Sequence, residues 1–230
     1  MTRRGGVGEG ELSWIMAERY MEKIHEIYRR LYRAFGPQHW WPGESPFEIA
    51  VGAILTQNTN WGNVEKAIEN LKREKALNAK SIHGIRVDKL ASLIKPAGYF
   101  NVKAKRLKAF IDFLMNEYHG SMERIKCEEM ETLRMKLLAV HGIGPETADS
   151  ILLYAIDKPA FVIDAYTRRV LSRHNIIRHD DSYKSIQDVF HSTLKRDVKL
   201  FNEYHALFVR LGKTYCRKKQ RCEECPLEGI

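Results

Sequence analysis

Apolar residues recur at helical spacing along almost the whole chain, and no run alternates as a half-buried strand requires. A period of 3.6 gathers side chains on one face of a helix, whereas a period of two spreads them over the two faces of a strand. The pattern restricts the chain to an all-α fold. It predicts a first helix from Ser13, as N-cap, to about Phe35, ended by Gly36-Pro37. Ser45 and Glu48 form a capping box, with Pro46 at the first helical position. The helix they open, "FEIAVGAILTQ", is apolar nearly all round and so must be buried on every side. Further helices are predicted near 62–74, 88–94, 101–118, 129–139, 145–156, 164–174, 183–194 and 199–214.

One reversal is unusually tight. In "LLAVHGIGPETADSILLYA", residues 137–155, Leu133, Leu137 and Leu138 give the incoming helix its buried stripe. Ala148, Ile151, Leu152 and Ala155 do the same for the outgoing one. Between them, Gly142 and Gly144 are expected to adopt backbone angles other residues avoid and to let another molecule approach the main chain. Pro145 at the first helical position leaves the amides after it pointing outward, an arrangement that suits an anion. A hairpin made only for packing fits the same residues. The dinucleotide fingerprint does not, because no strand precedes the glycines and the third glycine is missing.

Charge narrows the partner. The 230 residues carry a formal net charge of +9, which points to a polyanion. No apolar run approaches the roughly 20 residues needed to span a bilayer. The head "MTRRGGVGEGE" has no apolar core, so no secretory signal is read and a cytoplasmic, nucleoid-associated protein is expected. Cys216, Cys222 and Cys225 crowd the tail in a C-x5-C-x2-C arrangement, a better metal framework than a disulfide framework. Cys127, in another segment, reads as an ordinary buried thiol.

"VHGIGPETAD" followed by "FVIDAYTRRVL" resembles the helix–hairpin–helix and Gly/Pro-rich loop plus aspartate of the endonuclease III-like DNA glycosylases. The resemblance runs from about Trp40 to the C-terminus. It implies a base-excision repair enzyme acting on double-stranded DNA, with His141, Gly142, Gly144 and Thr147 at the DNA backbone. It also implies that Asp164, eighteen residues after Glu146, is the catalytic group at the mouth of the base pocket. A carboxylate there stabilises the positive charge that develops on the sugar as its base departs. Asp164 also reads as the N-cap of residues 165–174, and the two roles are compatible. Arg168, Arg169 and Arg173 are expected on the outer face of that helix. Bifunctional members of the family carry a lysine where this chain has Glu146. A carboxylate cannot form a Schiff base, so the resemblance implies the monofunctional branch, with water as nucleophile. Glu146 is then either an accessory group or an acid stabilised by the helix dipole.

The segment "WWPGESPFEIAVGAILTQNTNW" places Trp40 and Trp41 before the buried helix and Trp61 after it. By the same resemblance, Gln57 probes the vacated base stack, and Trp41 and Trp61 are pocket walls. "WWP", "LTQNTNW" and "KPAGYFNVKAKRL" look most like the 3-methyladenine DNA glycosylase branch. Indole faces suit a cationic alkylated purine, by about 0.5–2 kcal/mol beyond ordinary stacking. Lys103, Lys105, Arg106 and Lys108 read as a solvated face or as phosphate contacts. The family ends in four cysteines, spaced C-x6-C-x2-C-x5-C, that hold a 4Fe–4S iron–sulfur cluster. This chain departs from that pattern, since its first gap is one shorter and it reaches Ile230 with three tail cysteines. A cluster, intact or incomplete, is expected at Cys216, Cys222 and Cys225, with a zinc site or an empty thiol tail as alternatives.

The expected organisation is a flexible head (1–12), a terminal lobe (13–45 plus 146–230) and a six-helix-type lobe (46–145), with 129–156 spanning the junction. The hairpin and Asp164 are expected to line the cleft between the lobes of a monomer. The function expected is monofunctional excision of a damaged base, an alkylated purine such as 3-methyladenine. The alternatives are an endonuclease III-type glycosylase/lyase for oxidised pyrimidines and a non-catalytic DNA-binding module.

Overall fold

The structure is a computed structural model that describes residues 9–40 and 43–230, with side chains from residue 20 onward. The described residues hold twelve α-helices and no strand, as the periodicity requires. No described helix is long and apolar enough to cross a membrane. The chain divides into one unit of residues 1–39 and 163–230 and another of residues 40–162. These limits differ from the expected 45/46 and 145/146. The segment after the hairpin packs on the buried helix that follows Ser45, and so it groups with the middle of the chain.

In the middle unit, α2 (Pro46–Leu55) is the hub. Its first turn is fixed by Pro46 and by the Ser45 hydroxyl, which accepts from the Glu48 amide at 3.2 Å. Only half of the predicted capping box forms, because the Glu48 carboxylate turns to Lys72 at 3.0 Å. Ile49, Val51, Ile54 and Leu55 are buried, as an all-round apolar helix must be. Around α2 pack α3 (Trp61–Arg73), α6 (Phe100–Tyr118) and α9 (Pro145–Ser150), the last continuing as a π-helical turn over Ile151–Ala155. Short helices α4 (Ala79–Gly84) and α5 (Val87–Leu93) cover α6, α7 (Met122–Lys126) packs against its far end, and α8 (Met130–Ala139) leads into the hairpin.

A buried lysine closes the C-terminal end of α2. Lys103 is 1% exposed, and its ammonium donates to the carbonyls of Leu55 at 2.8 Å and Ala97 at 2.7 Å. These are end-of-helix carbonyls with no acceptor role inside their own helices. Burial and the nearby charge of Arg106 pull the Lys103 pKa down to about 8.

In the other unit, α1 (Glu9–Phe35) begins ahead of Ser13, whose side chain lies outside the described residues. With α10 (Ala165–Arg173), α11 (Tyr183–Thr193) and α12 (Val198–Thr214) it encloses Ile24, Ile27, Leu31, Val170, Phe190, Tyr204 and Phe208. Tyr204 is fully buried, and its hydroxyl donates to the Ile24 carbonyl at 2.7 Å. Its ring stacks on Phe208 with centroids 4.8 Å apart. Helices α10 and α12 touch at Gly212, where a Cβ would lie 2.3 Å from Cδ1 of Tyr166.

Candidate active site

The hairpin forms where the sequence places it, between Ala139 and Pro145. Gly142 has φ +83, a left-handed angle that side-chain-bearing residues rarely adopt. The Arg106 side chain lies across it, with Cγ only 2.2 Å from where a Cβ would be. Gly144 departs from expectation, because its φ of −94 is open to any residue. It is exposed, and no atom lies within 4 Å of where its Cβ would be, so what it offers is an uncovered main chain.

The hairpin is braced from inside its own unit. The Gln57 side-chain amide donates to the Gly142 carbonyl and to the Thr147 hydroxyl, each at 3.0 Å, and its oxygen accepts from Arg106. Gln57 is thus fully engaged in this state, and reaching into a duplex requires these bonds to break. Thr147 is buried at 6% exposure, so its hydroxyl serves Gln57 while its first-turn amide has no acceptor within the helix. His141 and Glu146 are exposed. Behind the turn, Arg134 grips Asp149 in a two-pronged pair, Nε to Oδ1 at 2.7 Å and Nη2 to Oδ2 at 3.0 Å. Asp149 is wholly buried, so the pair ties α8 to α9 in a low-dielectric setting. The signal for it in the sequence was a charged residue on each otherwise apolar stripe.

Of the tryptophans, Trp61 begins α3 and is half-buried, with its ring edge against α2 where a Cβ on Gly52 would sit 3.2 Å away. Trp40 packs on Tyr154 at 5.4 Å between ring centroids. Trp41 lies outside the described residues. The basic run on α6 turns largely inward, against the expectation of a solvated or phosphate-binding face. Lys103 caps α2, Arg106 holds Gln57, and Lys108 donates to the carbonyls of Ile82, His83 and Ile85 at the end of α4. Lys105 is exposed.

Asp164 lies in the other unit and caps α10, as the sequence predicts. Its Oδ1 accepts the Thr167 amide at 2.7 Å. His205, on α12, stands with Nε2 3.6 Å from Asp164 Oδ2. Burial works to raise the Asp164 pKa, but the neighbouring His205 imidazole and the hydrogen bond from the Thr167 amide together outweigh it. The carboxyl therefore lies below its ordinary value and is ionised at neutral pH. The Asp164 side chain keeps 14% of its surface exposed, so an ionised oxygen pair held from two sides still has an open face. Such a group can stabilise a cation or orient a water.

The arginines after Asp164 do not form an outer face. Arg168 donates to the Asp181 carbonyl, and Arg169 to those of Cys216 and Gly212. Arg173 binds the Cys216 thiol at 3.3 Å and the carbonyls of Arg217 and Lys218. The Arg169 and Arg173 contacts, with Arg30 on the Glu228 carbonyl, hold the cysteine tail. Cys216 is buried, Cys225 half-buried and Cys222 exposed. Among the described residues no three His, Cys, Asp or Glu side chains are gathered to hold a metal ion. As arranged, the described tail does not gather the ligand set that an iron–sulfur cluster needs. Cys127, expected to be buried, is exposed, because α7 is a short surface helix.

A braced hairpin followed by an ionised, helix-capping aspartate on an all-α frame defines a class. The family model described as HhH-GPD superfamily base excision DNA repair protein matches residues 51–196, well over half the chain. The protein belongs to this superfamily and is a DNA glycosylase of base-excision repair. A Methanocaldococcus jannaschii protein named as a candidate DNA repair glycosylase is 47% identical over 214 residues, covering 93% of this chain and 97% of the relative. The structure of H. pylori 3-methyladenine DNA glycosylase (MagIII) bound to 1,N6-ethenoadenine is 31% identical, with a TM-score of 0.71 over 84% of this chain and 97% of the other. A trapped endonuclease III–DNA covalent intermediate shares the fold, with a TM-score of 0.78 at 20% identity over 90% of this chain and 93% of the other.

Proposed function

We propose that the protein is a monofunctional glycosylase that hydrolyses the N-glycosidic bond of an alkylated purine, such as 3-methyladenine, in duplex DNA. The observation that carries the reading is the pairing of an ionised Asp164 with a carboxylate, Glu146, where a lyase needs an amine. Asp164 stabilises the sugar cation and orients the attacking water, and the bond breaks with the electron pair leaving on the base. The hairpin, through exposed Gly144 and the first-turn amides of α9, takes a backbone phosphate. His141 stands beside it, exposed. Trp61 supplies an aromatic wall, which suits a flat cationic base. The likeness to an enzyme named for 3-methyladenine supports the substrate class.

The test is a panel of duplexes, each with one lesion, assayed for base release with and without alkali. The reading expects release of alkylated purines and strand breaks only after alkali. Breaks without alkali, with a borohydride-trapped protein–DNA adduct, would establish the lyase instead.

A further inference from the structure

Asp164 owes its setting to a partner that local sequence does not reveal. His205 lies seven residues, about two helical turns, before Gly212, so the two share a face of α12. At Gly212 that face meets Tyr166 of α10 with no room for a side chain, and Arg169 spans the same contact to the Gly212 carbonyl at 3.2 Å. The close approach sets the imidazole beside the cap residue of α10. The His205 side chain is 5% exposed and the Asp164 side chain 14%, so the carboxylate beside the buried histidine keeps a little of its surface open.

We infer that His205 is a positioning residue for the glycosylase reaction, fixing Oδ2 of Asp164 while the Thr167 amide fixes Oδ1. The inference rests on reading Asp164 as the group that stabilises the sugar cation. A carboxylate held by one oxygen still swings about its terminal bond, which is soft. Held by both, it presents the same face to the reacting sugar in every encounter, and a preorganised charge is more effective than one that must reorient. Without the imidazole, the partly buried Oδ2 would lose that polar neighbour, which favours the neutral acid. His205 touches neither base nor sugar in this role and acts only through Asp164.

The test compares single-turnover base release by the full-length wild type, His205→Gln, His205→Asn, His205→Leu and Asp164→Asn. The substrate is the lesion duplex that the wild type cleaves fastest, and a second duplex with a tetrahydrofuran abasic analogue reports binding. Glutamine places an N–H near the imidazole Nε2, whereas asparagine is too short to reach. The expected result is that His205→Asn and His205→Leu lose about 10- to 100-fold in rate, as when a group that preorganises a catalytic charge is removed. Affinity for the abasic duplex is unchanged, and His205→Gln recovers most of the rate. Wild-type rates in all three His205 variants, with Asp164→Asn inactive, would overturn the inference and leave the role of Asp164 standing. A rate loss that follows melting temperature across the variants, glutamine included, would overturn it in favour of a packing role. An active Asp164→Asn would overturn both.

Discussion

Gly142→Ala is the substitution whose cost the structure defines most closely. A methyl group there meets two obstacles. The first is the backbone, since φ +83 lies in a region that costs an L-residue about 1–2 kcal/mol. The second is the Arg106 side chain, whose Cγ, Cδ and Nε lie 2.2, 2.6 and 2.8 Å from the new carbon. These atoms are mid-chain and cannot simply swing clear. To make room, Arg106 must release the Gln57 oxygen, a charge-assisted bond worth about 1.5–3 kcal/mol. The expected loss is about 3–5 kcal/mol, or about 6–20 °C in melting temperature for a chain of this size. Gly144→Ala is the internal control, because its backbone is unstrained and the space beyond it is open. It is expected to stay within about 0.5 kcal/mol of wild type. Thermal denaturation by circular dichroism reads both. In an Arg106→Ala background the collision is gone, so Gly142→Ala should cost only the backbone share, about 1–2 kcal/mol. Equal melting of the two alanine variants, or additive costs with Arg106→Ala, would refute the argument that Arg106 is clamped across the hairpin.

Three further outcomes follow from the packing and the tail. Lys103 has a folded pKa of about 8, below its unfolded value, so from about pH 8 to 10 the unfolded chain binds more protons and this group makes stability rise with pH. The neutral amine still has two N–H groups for the Leu55 and Ala97 carbonyls. Denaturation curves should show the wild type gaining on Lys103→Met over that range, and a falling difference would contradict the sign. Arg134→Ala removes the two-pronged partner of the wholly buried Asp149 carboxylate and should cost about 3–5 kcal/mol by urea denaturation, whereas a loss below 1 kcal/mol would show that other contacts carry the charge. In the tail, Cys222→Ser and Cys225→Ser should leave melting unchanged while Arg173→Ala lowers it, and elemental analysis should find no stoichiometric iron. Four irons per chain, with melting that collapses on chelation, would show that the thiols hold a cluster after all.

Much of the frame was legible because the long helices are periodic and well capped. The predicted 62–74, 101–118 and 164–174 lie within a residue of Trp61–Arg73, Phe100–Tyr118 and Ala165–Arg173. Helices α4 and α7, of six and five residues, escaped, because so short a stretch cannot display a 3.6 period. Their caps, Asn78 and Ser121, were the available clue. Asp164 was readable because a cap is a local feature. His205 was not, because its place depends on Gly212 admitting Tyr166 between helices distant in sequence. Lys103 shares the buried face of α6 with Leu107 and Phe110, four and seven residues on, so helical spacing marked it as inward while its charge suggested the opposite. The arginines after Asp164 misled for a related reason. Their partners are mostly main-chain carbonyls, of Asp181, Gly212 and the tail, which no side-chain pattern announces.

The most direct measurement of the central claim is single-turnover base release by Asp164→Asn from an alkylated-purine duplex. The amide keeps the shape and removes the charge that calms the sugar cation. The account predicts a fall of about 100-fold or more, with binding to the abasic duplex retained. Release at the wild-type rate would contradict it.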